Sequence, residues 1–301
     1  MRAAGGHTHT GAACTVAGLS SAAPFWSTGG VPGRRARIGA LLLVLFVVAA
    51  WAAGVTRGRS ARRAWDRPLP VAVVLVARAP PPEAAAARLR VGIEELSRRL
   101  EAEFARHRGE APYPPFAFTV AGPVAWDGAF PLAPASAGPL DRLSHAFRLW
   151  RALGRIDAAA GVAPELYDAR VYVLLEPPLA GGPRTFAEGS GAAGGEIGLV
   201  RAWADPSDAT LALTAAAHEL LHCLGASDKY DAAGHALEPE GLADPGLSPR
   251  YPQRHAEWMV GEVPLGPGQG RLPASLAEIR IGPATAREIG WLPPSPAAPL
   301  E

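Results

Sequence analysis

Ala217 to Asp231 reads AHELLHCLGASDKYD, and the helix specified by this stretch fixes how the rest of the chain is read. Asp205 is placed to cap the N-terminus of that helix, Pro206 suits its first turn, and Gly225 suits the residue that ends it. Residues four apart on a helix share a face, so His218 and His222 project together and can present ring nitrogens to one metal ion. Two neutral imidazoles, an oxygen ligand and an open position for water make a catalytic zinc site. Glu219 neighbours the first ligand, where its carboxylate reaches a water held at the metal without binding the ion. It is expected to be the general base, accepting that water's proton and passing it to a leaving amine. Asp228 is the candidate third ligand. A left-handed Gly225 turns the chain out of the helix and lets Asp228 fold back, whereas a continued helix would carry it away along the axis.

By these residue frequencies a bare H-E-x-x-H arises by chance in about one chain of this length in eighty, and the pattern extended to Gly225 and Asp228 in on the order of one in ten thousand. Other candidates stand nearby. Glu240 is an alternative third ligand, although Pro239, Gly241, Pro245 and Gly246 around it read as loop. His235 and His255 read as loop or surface histidines, and Asp231 as a residue that orients its loop or a ligand. Cys223, inside the motif, reads as a small buried apolar residue. The only other cysteine is Cys14, so a disulfide framework is excluded.

Outward from the motif, Leu69 to Ala77 (LPVAVVLVA) is a Val-rich run that reads as a buried strand. Pro80, Pro81 and Pro82 open a helical segment from Glu83 to His107, where Leu89, Ile93, Leu96, Leu100 and Phe104 recur at spacings of three and four. Phe116 to Val120 reads as a strand, Leu140 to Ala160 as a second amphipathic helix, and Arg170 to Glu176 as a strand. Gly181 to Gly195 is glycine-rich and reads as a loop, and Glu196 to Trp203 as the strand before the motif helix. The order β-α-β-α-β-β-α predicts an α/β fold, a twisted mixed sheet packed on long helices.

Ile38 to Val55 is eighteen residues without a charge, long and apolar enough for a single membrane helix. Arg34, Arg35 and Arg37 precede it and Arg57, Arg59, Arg62, Arg63 and Arg67 follow. Two readings stay open: a transmembrane signal anchor, or a signal peptide cleaved at the small-x-small site Ala50-Trp51-Ala52. The arginines after the segment resist translocation, and the positive-inside rule taken alone places the C-terminal side in the cytoplasm. A hydrophobic segment ahead of a hydrolase nevertheless usually serves export, so the expectation is a membrane-anchored protein with an extracytoplasmic catalytic domain, or a secreted one after cleavage. The expected division is a disordered tail (1–37), the apolar segment (38–55), a basic linker (56–68), a domain built around the zinc motif and expected to be a metallopeptidase (69–292), and a flexible C-terminal tail (293–301). A net charge of +1 over 301 residues offers no basic excess for phosphates, so nucleic acid is not an expected partner.

The motif resembles that of metzincin zinc peptidases, in the variant with Asp in place of the usual third His. Snapalysin-type peptidases carry H-E-x-x-H-x-x-G-x-x-D, and immune inhibitor A-type peptidases carry H-E-x-x-H-x-x-G-x-x-D-x-Y-D, matched here by His218 through Asp231. The resemblance implies zinc on His218, His222 and Asp228, with Glu219 as base and a peptide or protein as substrate. It also implies an irregular C-terminal subdomain with a methionine turn, for which Met259 in Ala256 to Gly261 is placed. It further implies an edge strand ahead of the motif helix where substrate pairs in extended form, a role expected of Glu196 to Trp203. Pro283 to Trp291 is placed for the final helix. Tyr230 and Tyr251 are candidates for oxyanion stabilisation or, by default, for packing and turns. The E-x-x-x-D form of Glu240 to Asp244 is similar to thermolysin-like gluzincins and keeps Glu240 in play. Two other function classes stay open: a membrane-tethered zinc-binding protein without proteolytic activity, and a non-peptidase zinc hydrolase.

Overall fold

The computed structural model describes residues 34–78, 83–128, 130–132, 134, 136–183, 185–191 and 194–294. Most of the expected N-terminal tail, Pro80 to Pro82, and residues 295–301 of the C-terminal tail lie outside them. Helix α1 runs from Arg34 to Arg62, and among the described residues it is the one helix long and apolar enough to cross a membrane. Its apolar side chains, such as Leu41 and Phe46, are exposed. The chain divides at Trp51/Ala52 into two units, and the rest concerns the body, Ala52–Glu301.

The body is a mixed α/β structure built on a five-stranded sheet of order β2-β1-β3-β5-β4. Its strands are β1 (Leu69–Ala77), β2 (Phe116–Ala125), β3 (Ala169–Glu176), β4 (Ala187–Gly191) and β5 (Ile197–Trp203). The first four in spatial order run parallel and β4 closes one edge antiparallel. Val73 of β1 pairs with Val171 of β3, and Val173 with Val200 of β5. Such β-branched runs suit central strands covered on both faces.

The faces are covered by different helices. α2 (Glu83–Arg108) and α4 (Ala209–Cys223) pack Leu89, Ile93, Leu96, Leu213, Leu220 and Leu221 with Val71, Val73 and Val200. α3 (Pro139–Ala160) sets Leu153 and Ile156 against Val74, Val76, Tyr172 and Leu174 on the opposite face. Beyond α4 the chain is irregular, with short strands at Ala256–Glu257, Val263–Gly266, Gln269–Arg271 and Ile279–Arg280 and a six-residue helix α5, Pro283–Glu288. Trp65, Phe104, Phe116 and Trp291 meet in tilted and edge-on contacts at 5.3–5.6 Å, and the Trp65 indole N–H donates to Ile289 O at 2.8 Å. That cluster staples the start of the body to its end.

Four expectations need correction. The stretch 181–195 is not all loop, because it contains β4. The edge strand is therefore β4, while Ile197–Trp203 lies inside the sheet between β3 and β4. The basic linker 56–68 is helical as far as Arg62, and it is fixed to the body. Arg59 Nε donates to Gly194 O at 2.8 Å, and Arg62, 5% exposed, donates to Gly194 O at 3.0 Å and to Gly195 O and Glu196 Oε1 at 3.2 Å. The strand at Phe116 runs on to Ala125 past Pro123, which an edge position tolerates because no second neighbour needs that N–H.

Candidate metal centre

α4 leads from β5 through a short turn, Pro206–Asp208, whose first N–H groups Asp205 caps by accepting from Ser207 N at 2.8 Å. Leu213, Ala216, Ala217, Leu220 and Leu221 bury one side of the helix and so fix its rotation. Its end is a glycine-terminated cap: Gly225 N donates to His222 O at 2.9 Å and Ala226 N to Leu221 O at 3.0 Å, with Gly225 at φ +100°. The chain thus leaves the helix at the position read from the sequence.

Past that turn, Asp228 comes back over the helix. Its Oδ1 lies 3.1 Å from His218 Nε2 and 3.2 Å from His222 Nε2. His218, Glu219 and His222 also each offer a ligand atom within 4.8 Å of one another, a cluster that could hold a metal ion. The remaining ring nitrogens face backbone carbonyls. His218 Nδ1 is 3.2 Å from Trp258 O and His222 Nδ1 is 2.8 Å from Ala226 O. Each Nδ1 is thus placed to donate to a carbonyl, and each Nε2, turned toward Asp228, is the atom that would meet a metal ion.

The electrostatics follow the packing. Burial works against a charged His218, but hydrogen bonding to Asp228 and the charge of Glu219 outweigh it and raise its pKa. Burial, reinforced by His218, lowers that of His222. Asp228 is held below the usual carboxylate range, chiefly by its hydrogen bond from His218. Burial pushes Glu219 up to about 7, against the pull of His218, and its Oε2 has no hydrogen-bond partner. A carboxyl that is enclosed, unpaired and half-protonated near neutral pH is set up for proton transfer.

β4 makes that enclosure. A Cβ on Gly189 or Gly191 would overlap the Glu219 carboxyl oxygens, and one on Gly198 of β5 would stand 2.7 Å from Glu219 Cβ. The edge strand therefore runs close over the carboxylate because it is made of glycine at the positions facing it. Gly194 N also donates to His222 O at 2.7 Å, tying the tip of the β4–β5 connection to the end of α4.

The chain on either side of Asp228 is held by a buried ammonium. Lys229 Nζ donates to Ser227 O at 2.9 Å, Ser227 Oγ at 2.6 Å and Glu288 Oε2 at 2.7 Å. Three protons meet three acceptors, which a compact ammonium satisfies and a planar guanidinium does not. Lys229 N donates to Met259 O at 3.1 Å, in a tight turn where Glu257 O accepts from Val260 N and Gly261 N. The fully buried Glu257 accepts from Met259 N and Gly282 N inside it. Neither Lys229 nor Glu257 was read from the motif. The signal for Lys229 was in the composition, since it is the only lysine of the chain.

The other candidates lie elsewhere. Glu240 is exposed in a turn at Pro239–Leu242. His235 Nδ1 is 3.4 Å from Glu262 and His255 Nδ1 3.5 Å from Asp244. Asp231 accepts from Ala233 N and His235 N and so organises its own loop. Tyr251 bonds Glu238, away from the cluster. Tyr230 stacks on His218 with centroids 6.5 Å apart, and its hydroxyl helps hold Asp228 below the usual carboxylate range. Cys223 is buried in the core, and burial pushes its thiol up to about 12. No family model, curated protein or solved structure matches the chain.

Proposed function

We propose that the chain is a zinc-dependent endopeptidase, anchored by residues 38–55 to a membrane. One observation carries the reading: two imidazole Nε2 atoms and a carboxylate oxygen converge beside a buried carboxyl that has no partner of its own. Zinc is the ion preferred because two imidazoles and one carboxylate form a ligand set common in catalytic zinc sites. When bound, the ion would supply Lewis acidity toward a carbonyl and toward water.

The chain's own residues do the rest. His218, His222 and Asp228 hold the ion, and the Trp258 and Ala226 carbonyls orient the two rings. Glu219 takes a proton from the attacking water and returns it to the leaving amine, a role suited to an enclosed carboxyl with no partner of its own. The exposed outer side of β4 offers backbone N–H and C=O groups beside Glu219, so a substrate in extended conformation adds as a further strand. The antiparallel edge strand and the tight turn at Met259 support the resemblance to metzincin peptidases. The apolar stretch of α1 supports anchoring, with an extracytoplasmic body or a secreted one after cleavage.

The test is the purified chain, with zinc content by atomic spectroscopy and casein cleavage measured in parallel. The parent is expected to hold one zinc and to cleave casein. Asp228→Ala should lose zinc affinity by at least about tenfold to a hundredfold. Glu219→Gln should keep zinc while cleavage falls by about a hundredfold to ten-thousandfold. A folded parent that binds zinc but cleaves nothing would leave a zinc-binding protein without proteolytic activity, and one that binds none would remove the reading altogether.

A further inference from the structure

α3 carries two apolar faces. At about 100° per residue, Leu149, Ala152, Leu153 and Ile156 share one side, and Leu140, Leu143, Phe147 and Trp150 share the other. Ala152, Leu153 and Ile156 are buried against the sheet. The second set is between 55% and 82% exposed. No residue from Pro139 to Arg148 is buried, so the first turns of the helix overhang the sheet. The Phe147 and Trp150 rings stack at 5.8 Å, with the Arg151 guanidinium 5.9 Å from the Phe147 centroid.

Four large apolar side chains in one stripe are more than scattered surface hydrophobics. Arg148, Arg151 and Arg155 flank the stripe, all exposed. Of the two acids on the helix, Asp141 is exposed while Asp157 is buried in an ion pair with Arg170 at 2.6 Å. An apolar stripe with an arginine border is the pattern of a helix lying in a lipid–water interface.

We propose that this face of α3 docks on the surface of an anionic lipid bilayer. The inference rests on the reading that residues 38–55 lie in a membrane, and chain connectivity supports it. Arg59 and Arg62 are fixed to Gly194–Glu196. The next residue, Ile197, lines a hollow of about 620 Å³ together with Leu149, Trp150 and Arg170. Arg62 stands seven residues beyond Val55, which is about 10 Å of helix or about 25 Å of extended chain. The edge of the body that bears Trp150 therefore stays within reach of the headgroups. Arginine along that edge matches the charge of anionic lipid headgroups.

The full chain carrying Cys14→Ser is labelled with an environment-sensitive fluorophore at Leu143→Cys, or at the exposed Leu272→Cys as control, and reconstituted into phosphatidylcholine–phosphatidylglycerol vesicles. Quenching by aqueous iodide at position 143 is expected to fall by about threefold or more relative to position 272. Arg148→Glu with Arg151→Glu is expected to restore it. Alkaline carbonate extraction of the same vesicles reports on the anchor separately. A retained chain with equal quenching at both positions overturns the docking and leaves the anchor standing. A chain that carbonate extracts overturns the anchor and the docking with it. Protection that rises with the protein-to-lipid ratio identifies a second copy of the chain as the occupant and overturns the bilayer.

Discussion

Replacing Glu219 by glutamine in the metal-free chain isolates the consequence of enclosing a carboxyl under β4. Burial raises its pKa from an ordinary 4.5 to about 7. The folded-state value is the higher one, so the stability tied to the protonated carboxyl is complete below 4.5, declines as pH rises, and is gone above about 7. Each tenfold change in proton affinity is worth about 1.4 kcal/mol, so the parent loses about 3 kcal/mol across that window. Glutamine does not titrate. Its amide contributes an offset of its own, but that offset is the same at every pH. The quantity to follow is therefore the stability difference between variant and parent, from denaturant unfolding with chelator present, at about pH 4 and about pH 8.5. It should move in favour of the variant by about 2–4 kcal/mol and level off above neutrality. A difference that stays constant between the two pH values, or moves toward the parent, would refute the claim that this carboxyl is shielded from water and unpaired.

Lys229→Met removes the donor shared by Ser227 and Glu288, and because Glu288 is one-third exposed the loss should be about 2–3 kcal/mol, read as a fall in Tm of several degrees. Lys229→Arg should not restore it, since a planar fork does not fit three acceptors around one nitrogen. Gly189→Val places a branched side chain where the Glu219 carboxyl now sits. Cleavage should drop by at least about a hundredfold while zinc content is kept, because the strand moves over the base and not over the ligands. Trp65→Ala removes the centre of the aromatic staple and the bond to Ile289, and should cost about 3–5 kcal/mol in denaturant unfolding.

What could be read from the chain depended on where side chains did the specifying. β1, α2, α3 and β3 follow apolar periodicity, and their limits in the structure differ from the reading by no more than a residue or so. Gly225 was legible because a left-handed residue after an amphipathic run has one common meaning. β4 was not, since Ala187–Gly191 (AEGSG) carries none of the β-branched or aromatic residues that mark a strand. Its glycines answer to Glu219 beneath them, a residue about thirty positions away in the chain. The same holds for Lys229 and Glu288, whose partnership spans fifty-nine positions. The helical run through Arg62 reads as linker because arginines between an apolar segment and a folded domain look like solvated charge. Their partners are backbone carbonyls at Gly194 and Gly195, which no side-chain pattern announces.

The grip of Arg59 and Arg62 on Gly194 sets out a load path. A pull on the N-terminal helix is delivered first to the tip of the β4–β5 hairpin, and from Gly194 N to His222 O it passes to the end of α4. A cut at Ala50–Ala52 would remove the source of tension and leave both arginines in place. The released body would thus keep the hairpin seated over Glu219, unloaded but not rearranged.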